Sequence, residues 1–462
     1  MFICKSNKPV AINERGETLS YTDVNRIAET LCEKISSRSL VFCLCSNSFG
    51  AESGYITFFN QQIVPVMLDA KTDKELLQNL LNKYEPSFIW TPKNKSDDFE
   101  TWNPLMCIYD YVLLKNPVSI HHTLHEDLAL LLTTSGSIGS PKFVRLSYTN
   151  LLSNAESIAE YLSIDDNERP ITVLPMHYSF GLSIINSHLL KGATLLLTNK
   201  SLMEKEFWSL LKEKEATSLS GIPYTYEMLK RLRFFRMDLP FLKTLTQAGG
   251  KLNTELCREF AEYAQIHGKQ FIVMYGQTEA TARMSYLPSE QAIAKAGSIG
   301  IAISGGKFDL VNENRQYIES NGQSGELVYR GPNVSLGYAE SADDLAKGDI
   351  NKGILYTGDL AQRDDDGFYY IVGRKKRFIK LFGNRINLDE TESILQSVYK
   401  DCACVGMDDK LIVYTTKEGV ENEIKRFISA KTNIYVNAFE VRHIFSIPKN
   451  SSGKTIYAEL IL

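Results

Sequence analysis

Short apolar, β-branched segments recur through the first half of the chain, and stretches with helical periodicity separate them. Residues 40–44, 88–90, 128–133, 171–174, 194–197, 216–220 and 271–274 read as strands, and 21–34, 74–83, 148–161 and 253–267 as helices. Such an alternation predicts an α/β fold, a large N-terminal domain with largely parallel sheets. From about Gly325 the texture changes to strand and turn signals, in Gly325-Glu-Leu-Val-Tyr-Arg-Gly and Asp364-Asp-Asp-Gly-Phe-Tyr-Tyr-Ile-Val, which predicts a small β subdomain closing the large region. After Gly373-Arg374-Lys375-Lys376-Arg377 come a helix at 390–399, a strand at 411–415 and a helix at 422–429, the pattern of a small α+β C-terminal domain.

The chain has 462 residues, more than a single hydrophobic core serves, so at least two domains are expected. With 44% hydrophobic and 23% charged residues it has the composition of a globular protein rather than a disordered or fibrous one. A net charge of -4 gives no overall attraction to nucleic acid or anionic lipid, which directs attention to small-molecule chemistry. No apolar run reaches the ~20 residues of a membrane helix, and the N-terminus lacks an apolar core followed by a small-residue cleavage site, so no membrane insertion and a cytoplasmic location are expected. Eight cysteines are too few for a disulfide scaffold. Cys43/Cys45 and Cys402/Cys404 are each two apart in apolar runs, on one face of a strand, and read as small buried hydrophobes rather than metal ligands.

One segment carries chemistry on its face. Leu131-Leu-Thr-Thr-Ser-Gly-Ser-Ile-Gly-Ser-Pro-Lys142 is an apolar strand running into hydroxyls and glycines and ending in a lysine. Glycines let backbone N–H groups close on phosphate oxygens, hydroxyls add donors, and the lysine supplies a point charge for a leaving polyphosphate. Gly136, Gly139 and Lys142 do not fit the G-x-x-x-x-G-K-[ST] spacing, so this is not a Walker A loop. Nor is Gly453-Lys454-Thr455 the end of one, because Pro448 stands where its first glycine belongs.

That loop is followed in order by Tyr275-Gly-Gln-Thr-Glu279, by Gly325-Glu-Leu-Val-Tyr-Arg-Gly-Pro-Asn-Val-Ser-Leu-Gly-Tyr338, by Thr357-Gly-Asp-Leu360, Gly373-Arg374 and Gly383-Asn-Arg-Ile386, and by Pro448-Lys-Asn-Ser-Ser-Gly-Lys454. In these motifs and their spacing the chain resembles the adenylate-forming superfamily of acyl-CoA synthetases, luciferases and peptide-synthetase adenylation domains, over nearly its whole length. The resemblance implies a large adenylation domain over 1–374, a mobile small domain over 377–462 and a hinge near Lys376. It implies an AMP-forming acid–thiol ligase that activates a small carboxylic acid with ATP and Mg²⁺ and passes the acyl group to coenzyme A or to a carrier-protein phosphopantetheine. By resemblance Thr134, Ser135, Gly136, Ser137, Gly139 and Lys142 hold the phosphates, Thr278 meets the α-phosphate, and Glu279 binds Mg²⁺, a hard carboxylate on a hard cation. Tyr275 flanks the adenine, with Gly249, Gly250 and Gly276 around the nucleotide. Asp359 accepts both ribose hydroxyls, and Arg374 also reaches the ribose. Lys454 is the lysine that bridges carboxylate and α-phosphate as charge grows between them. Rotation about Lys376 then brings Gly383 toward a pantetheine channel.

For the acid, His177 and Tyr178 are the candidate contacts. Ser179 stands where amino-acid-activating relatives place an aspartate, and Gly276 where acetate-specific relatives carry a tryptophan, so an acid larger than acetate and without a free α-amine is expected. Ile138 and Phe143 replace a hydroxyl and a glycine usual in the phosphate loop, which predicts weakened ATP use. Competing readings are direct loading of a carrier protein or amine acceptor, a nucleotide-binding regulator without catalysis, and a plain ATPase.

Overall fold

The computed structural model describes residues 8–133, 142–374, 378–382, 384–399, 401–407, 409–432, 434–448, 455 and 457–460. It divides into two compact units, a small one that comprises Asp73–Asn79, Lys142 and the described residues from Arg374 onward, and a large one that comprises the rest of the described residues up to Gly373.

Two extended sheets make up the body of the large unit. In the first, eight strands lie in the spatial order 337–339, 143–147, 128–133, 64–69, 40–45, 88–92, 111–115, 103–108. The four from Leu128–Thr133 to Phe88–Pro92 pair in parallel, and both edges are closed by antiparallel partners. The second has nine strands, with the run from Pro9–Asn13 through Leu195–Leu197, Pro170–Ile171, Ser218–Gly221 and Thr244–Gln247 to Gln270–Tyr275 entirely parallel. A four-stranded sheet of Lys307–Val311, Gly325–Arg330, Ile354–Arg363 and Tyr369–Arg374 follows, antiparallel where Gly325–Arg330 meets its two neighbours.

Most strands expected from the sequence are present with ends shifted by a residue or two, and the helix Tyr148–Tyr161 starts and ends as expected. Ser147 caps it, its hydroxyl accepting from the Asn150 amide while the Asn150 side chain accepts from the Ser147 amide. One expected strand, 171–174, shrinks to Pro170–Ile171. Beyond Ile171 the Thr172 hydroxyl enters the ladder by accepting from the Thr198 amide, and Pro175 brings no N–H to continue it.

Two long helices escape the periodicity argument, Phe49–Asn60 and Ser179–Lys191. Both are buried almost along their length, so neither has a polar face to create a 3.6-residue pattern. Gly50 and Gly54 let the first approach the sheet closely. A Cβ at Gly54 would lie 2.4 Å from Trp90 Nε1, and that indole N–H donates to the Gly50 carbonyl at 3.0 Å.

The small unit is α+β. A hairpin, Phe378–Leu381 with Asn384–Asn387, is followed by the helix Leu388–Val398. Lys410–Thr415 pairs antiparallel with Cys402–Met407 and parallel with Phe439–His443, and the helix Glu421–Thr432 lies in the connection from Lys410–Thr415 to Phe439–His443. Ile379, Leu395, Cys404, Val413, Ile424 and Phe439 share its core. Among the described residues, no helix is long and apolar enough to cross a membrane.

Candidate active site

The carboxyl end of Gln270–Tyr275, the last parallel strand of the nine-stranded sheet, delivers Tyr275 and then the tight turn Thr278–Ala280. The neighbouring four-stranded sheet supplies Asp359 from Ile354–Arg363. Gly358, at φ +71°, kinks that strand in a conformation L side chains rarely adopt. The kink folds the Asp359 amide back onto the Thr357 hydroxyl at 3.1 Å, and that hydroxyl donates to the Leu327 carbonyl at 2.7 Å. Each residue of Thr357-Gly-Asp thus has a distinct geometric task.

Asp359 is 1% exposed. Its Oδ2 accepts from the Tyr275 hydroxyl at 2.5 Å and from Gln277 Nε2 at 2.9 Å, and Gln277 also donates to the Thr357 carbonyl at 3.0 Å. The carboxylate is therefore fixed on one oxygen by two side chains two residues apart. Gln277 and Thr357 carry no role in the sequence reading, although both lie inside its motifs.

Glu279 is partly buried, and its Oε1 accepts from the Tyr338 hydroxyl at 2.7 Å. Tyr338 is itself anchored by Arg145, a fully buried guanidinium that reaches the carbonyls of Tyr338 at 3.1 Å, Leu336 at 2.8 Å and Gly348 at 3.1 Å, and also that of Lys347. A residue just downstream of the phosphate loop thus orients the partner of Glu279. Thr278 is buried, its hydroxyl 3.0 Å from that of Ser179 at the start of Ser179–Lys191. Ser179 is therefore turned toward the nucleotide motif.

Around the expected acid pocket, Tyr178 and the glycines come together. Gly249 has φ +77°, and a Cβ there would lie 2.7 Å from the Tyr178 hydroxyl. Gly276 is tighter still, since a Cβ would fall 1.4 Å from the Ala282 carbonyl oxygen. Backbone, not an open pocket floor, occupies the space a side chain at 276 would need. His177 lies instead beside Asp69, its Nε2 3.8 Å from Oδ2, and its buried Nδ1 has no hydrogen-bond partner among the described residues. Burial pushes the His177 pKa down against the pull of Asp69. Phe143 belongs to the core, with its ring 4.7 Å from Tyr84 and 6.4 Å from Phe42. Lys142, half-buried, directly precedes that strand.

Thr134, Ser135, Gly136, Ser137, Ile138, Gly139, Lys376, Gly383 and Lys454 lie outside the described residues, and Arg374 is the last residue of Tyr369–Arg374. Among the described residues no cluster of three or more His, Cys, Asp or Glu could hold a metal ion. A Mg²⁺ delivered with nucleotide needs only one or two carboxylates, because it keeps waters and phosphate oxygens as its other ligands. Glu279, a hard carboxylate oriented by one phenol, fits that donor set.

The family described as AMP-binding enzyme matches residues 4–339. The chain is 28% identical over 450 residues to the probable CoA ligase CCL5 of Humulus lupulus, covering 91% of this chain and 80% of the relative. It is 29% identical over 360 residues to the peroxisomal OPC-8:0-CoA ligase 1 of Arabidopsis thaliana, covering 73% of this chain but only 64% of that one. In fold it is similar to the amide bond synthetase McbA of Marinactinospora thermotolerans, with a TM-score of 0.81 at 17% identity, covering 98% of this chain and 96% of the other. The chain belongs to the AMP-binding enzymes, within the adenylate-forming superfamily.

Proposed function

We propose that this chain is an AMP-forming acid–thiol ligase, which joins a carboxylic acid to ATP as an acyl-adenylate and transfers the acyl group to coenzyme A. The observation that carries the reading is the buried Asp359 carboxylate, held on one oxygen by Tyr275 and Gln277 beside the turn that bears Thr278 and Glu279. A rigid two-oxygen acceptor suits a ribose diol, and the turn places a hydroxyl and a carboxylate for phosphate and metal. The relatives' names, both CoA ligases, support coenzyme A as the acceptor.

In this account Asp359, Tyr275 and Gln277 hold the nucleoside, and Thr278 donates to the α-phosphate. Glu279, steadied by Tyr338, would hold Mg²⁺, which supplies charge neutralisation for the departing pyrophosphate. Attack by the acid carboxylate on the α-phosphorus breaks the bond to pyrophosphate and leaves acyl-AMP, and Lys454 and Lys142 offset the charge that develops. The small unit then turns about Lys376, Gly383 lines the thiol's path, and the thiolate displaces AMP.

A carrier protein or an amine as acceptor is the second reading, and the fold shared with an amide bond synthetase favours it. Incubation with ATP, Mg²⁺, coenzyme A and an acid panel, with products separated by mass, tests both. AMP, pyrophosphate and an acyl-CoA thioester are expected. Adenylate that persists with coenzyme A but is consumed by amine or phosphopantetheinyl carrier would favour the second reading, and ADP or acid-independent orthophosphate would refute both.

A further inference from the structure

Arg283 is a charged side chain sealed among Phe180, Tyr161 and Met274, with 1% of its surface exposed, and it faces Tyr178, a candidate contact for the acid. Its Cα packs against Gly276, where a Cβ would lie 3.0 Å away. Thr281 and Ala282 precede it at φ 56° and 88°, a left-handed pair that turns the chain inward. Side chains fix that turn. The Thr281 hydroxyl donates to the Asn333 carbonyl at 2.7 Å, and the Arg283 carbonyl accepts from Asn154 Nδ2 at 2.8 Å and Asn333 Nδ2 at 2.9 Å.

Among the described residues the guanidinium touches neutral groups. Its Cζ lies 4.3 Å from the centre of the Phe180 ring, one terminal nitrogen donates to the Tyr161 hydroxyl at 3.1 Å and touches the Met274 sulfur, and Nε–H has no hydrogen-bond partner among the described residues. No carboxylate among the described residues forms an ion pair with it. His188 and Glu168 line the same cavity. His188 is neutral because burial pushes its pKa down to about 4. Glu168 is taken up by the Thr217 hydroxyl and by Lys243 at 3.4 Å. Tyr178 also faces Arg283, and burial raises the pKa of the Tyr161 phenol, which keeps it protonated.

A guanidinium stays charged, and proteins bury one only when something compensates it. A leucine or methionine would fill this space without that requirement. We infer that Arg283 receives a second carboxylate, at the end of the acid remote from the carboxyl that is adenylated, and that the substrates are dicarboxylic acids. The inference rests on the ligase reading above and adds the substrate class. A planar fork with an unengaged Nε–H matches a carboxylate in two-point fashion.

The test is ATP–pyrophosphate exchange with pairs of acids of equal carbon number, one ending in methyl and one in carboxylate. The wild type is expected to favour the diacid by at least about 100-fold in kcat/KM, as a site built around a polar group rejects the analogue lacking it. Arg283→Met is expected to lose that preference and to use the methyl-ended acid at least about 5-fold better than the wild type does. Arg283→Lys, which retains charge, should still prefer the diacid and covers the case in which the methionine variant does not fold. Preference of the wild type for methyl-ended acids, or equal loss of both substrates in a folded Arg283→Met, overturns the inference and leaves the ligase reading standing. Exchange with no acid at all refutes the ligase reading itself.

Discussion

The Tyr275 hydroxyl donates to Asp359 Oδ2 across 2.5 Å, joining the end of a parallel strand to the antiparallel sheet that follows it. A hydrogen bond to a charged group contributes about 1.5–3 kcal/mol, roughly 10- to 150-fold in affinity. Tyr275→Phe is therefore expected to raise the KM for ATP by about 10-fold or more, and Asp359→Asn, which also loses charge on the ribose, by more. Initial-rate kinetics against ATP checks this, and an unchanged KM in both variants would remove the nucleoside from this cluster.

Tyr338 and Glu279 make a second testable pair, joined at 2.7 Å. Tyr338→Phe frees the carboxylate to rotate, so the Mg²⁺ concentration for half-maximal rate should rise by about 3- to 10-fold with little change in the rate at saturating metal. A Mg²⁺ titration of pyrophosphate exchange reads this directly. A loss of rate that saturating Mg²⁺ does not restore would detach Tyr338 from metal binding.

Glu52 predicts a pH dependence of stability. It is 1% exposed, Oε1 has no hydrogen-bond partner among the described residues, and burial raises its pKa from 4.5 to about 8. The folded protein holds this proton where the unfolded chain releases it, so the group's contribution is fully present below about pH 4.5 and is lost as pH rises through about 8. The loss is at most about 1.4 kcal/mol for each pH unit in that window. Glu52→Gln keeps the shape without the charge, so its melting temperature should gain on the wild type steadily between pH 5 and pH 8. A difference that stays constant with pH would show that Glu52 does not titrate there.

Gly276→Ala is expected to be severely destabilising, by about 3 kcal/mol or more, because its Cβ meets the Ala282 carbonyl and neither backbone can yield without breaking the turn. Soluble yield and thermal unfolding measure it. A variant that melts with the wild type would mean that the turn carrying Ala282 and Arg283 moves freely.

Much of this was legible in the sequence, but for different physical reasons. The strand and helix alternation announced the α/β body because buried strands read as short apolar runs and half-buried helices carry a periodic pattern, and the change near Gly325 announced the antiparallel sheet. Phe49–Asn60 and Ser179–Lys191 were silent for the opposite reason, being buried on every side. Tyr275, Glu279 and Asp359 stood out through their motifs. The sequence did not show that Gln277 completes the hold on Asp359, because that contact spans 82 positions. Nor did it show that Arg145 braces Tyr338, since a guanidinium in an apolar strand reads only as an oddity until its carbonyl partners appear. Gly276 was read as an opening in the pocket, whereas its missing side chain makes room for the backbone of Ala282.

The two-step account makes a sharp demand on Lys454. Lys454→Ala should abolish most adenylate formation and leave thioester formation from supplied acyl-AMP much less affected, measured as separate half-reactions. Equal loss of both would deny Lys454 a role confined to the first step.

The central claim, activation of an acid as its adenylate, is tested most directly by exchange of labelled pyrophosphate into ATP with and without carboxylic acid. The account predicts exchange that requires both acid and Mg²⁺ and that falls with Asp359→Asn. Exchange independent of acid, or none across mono- and dicarboxylic acids with folded protein, would contradict it.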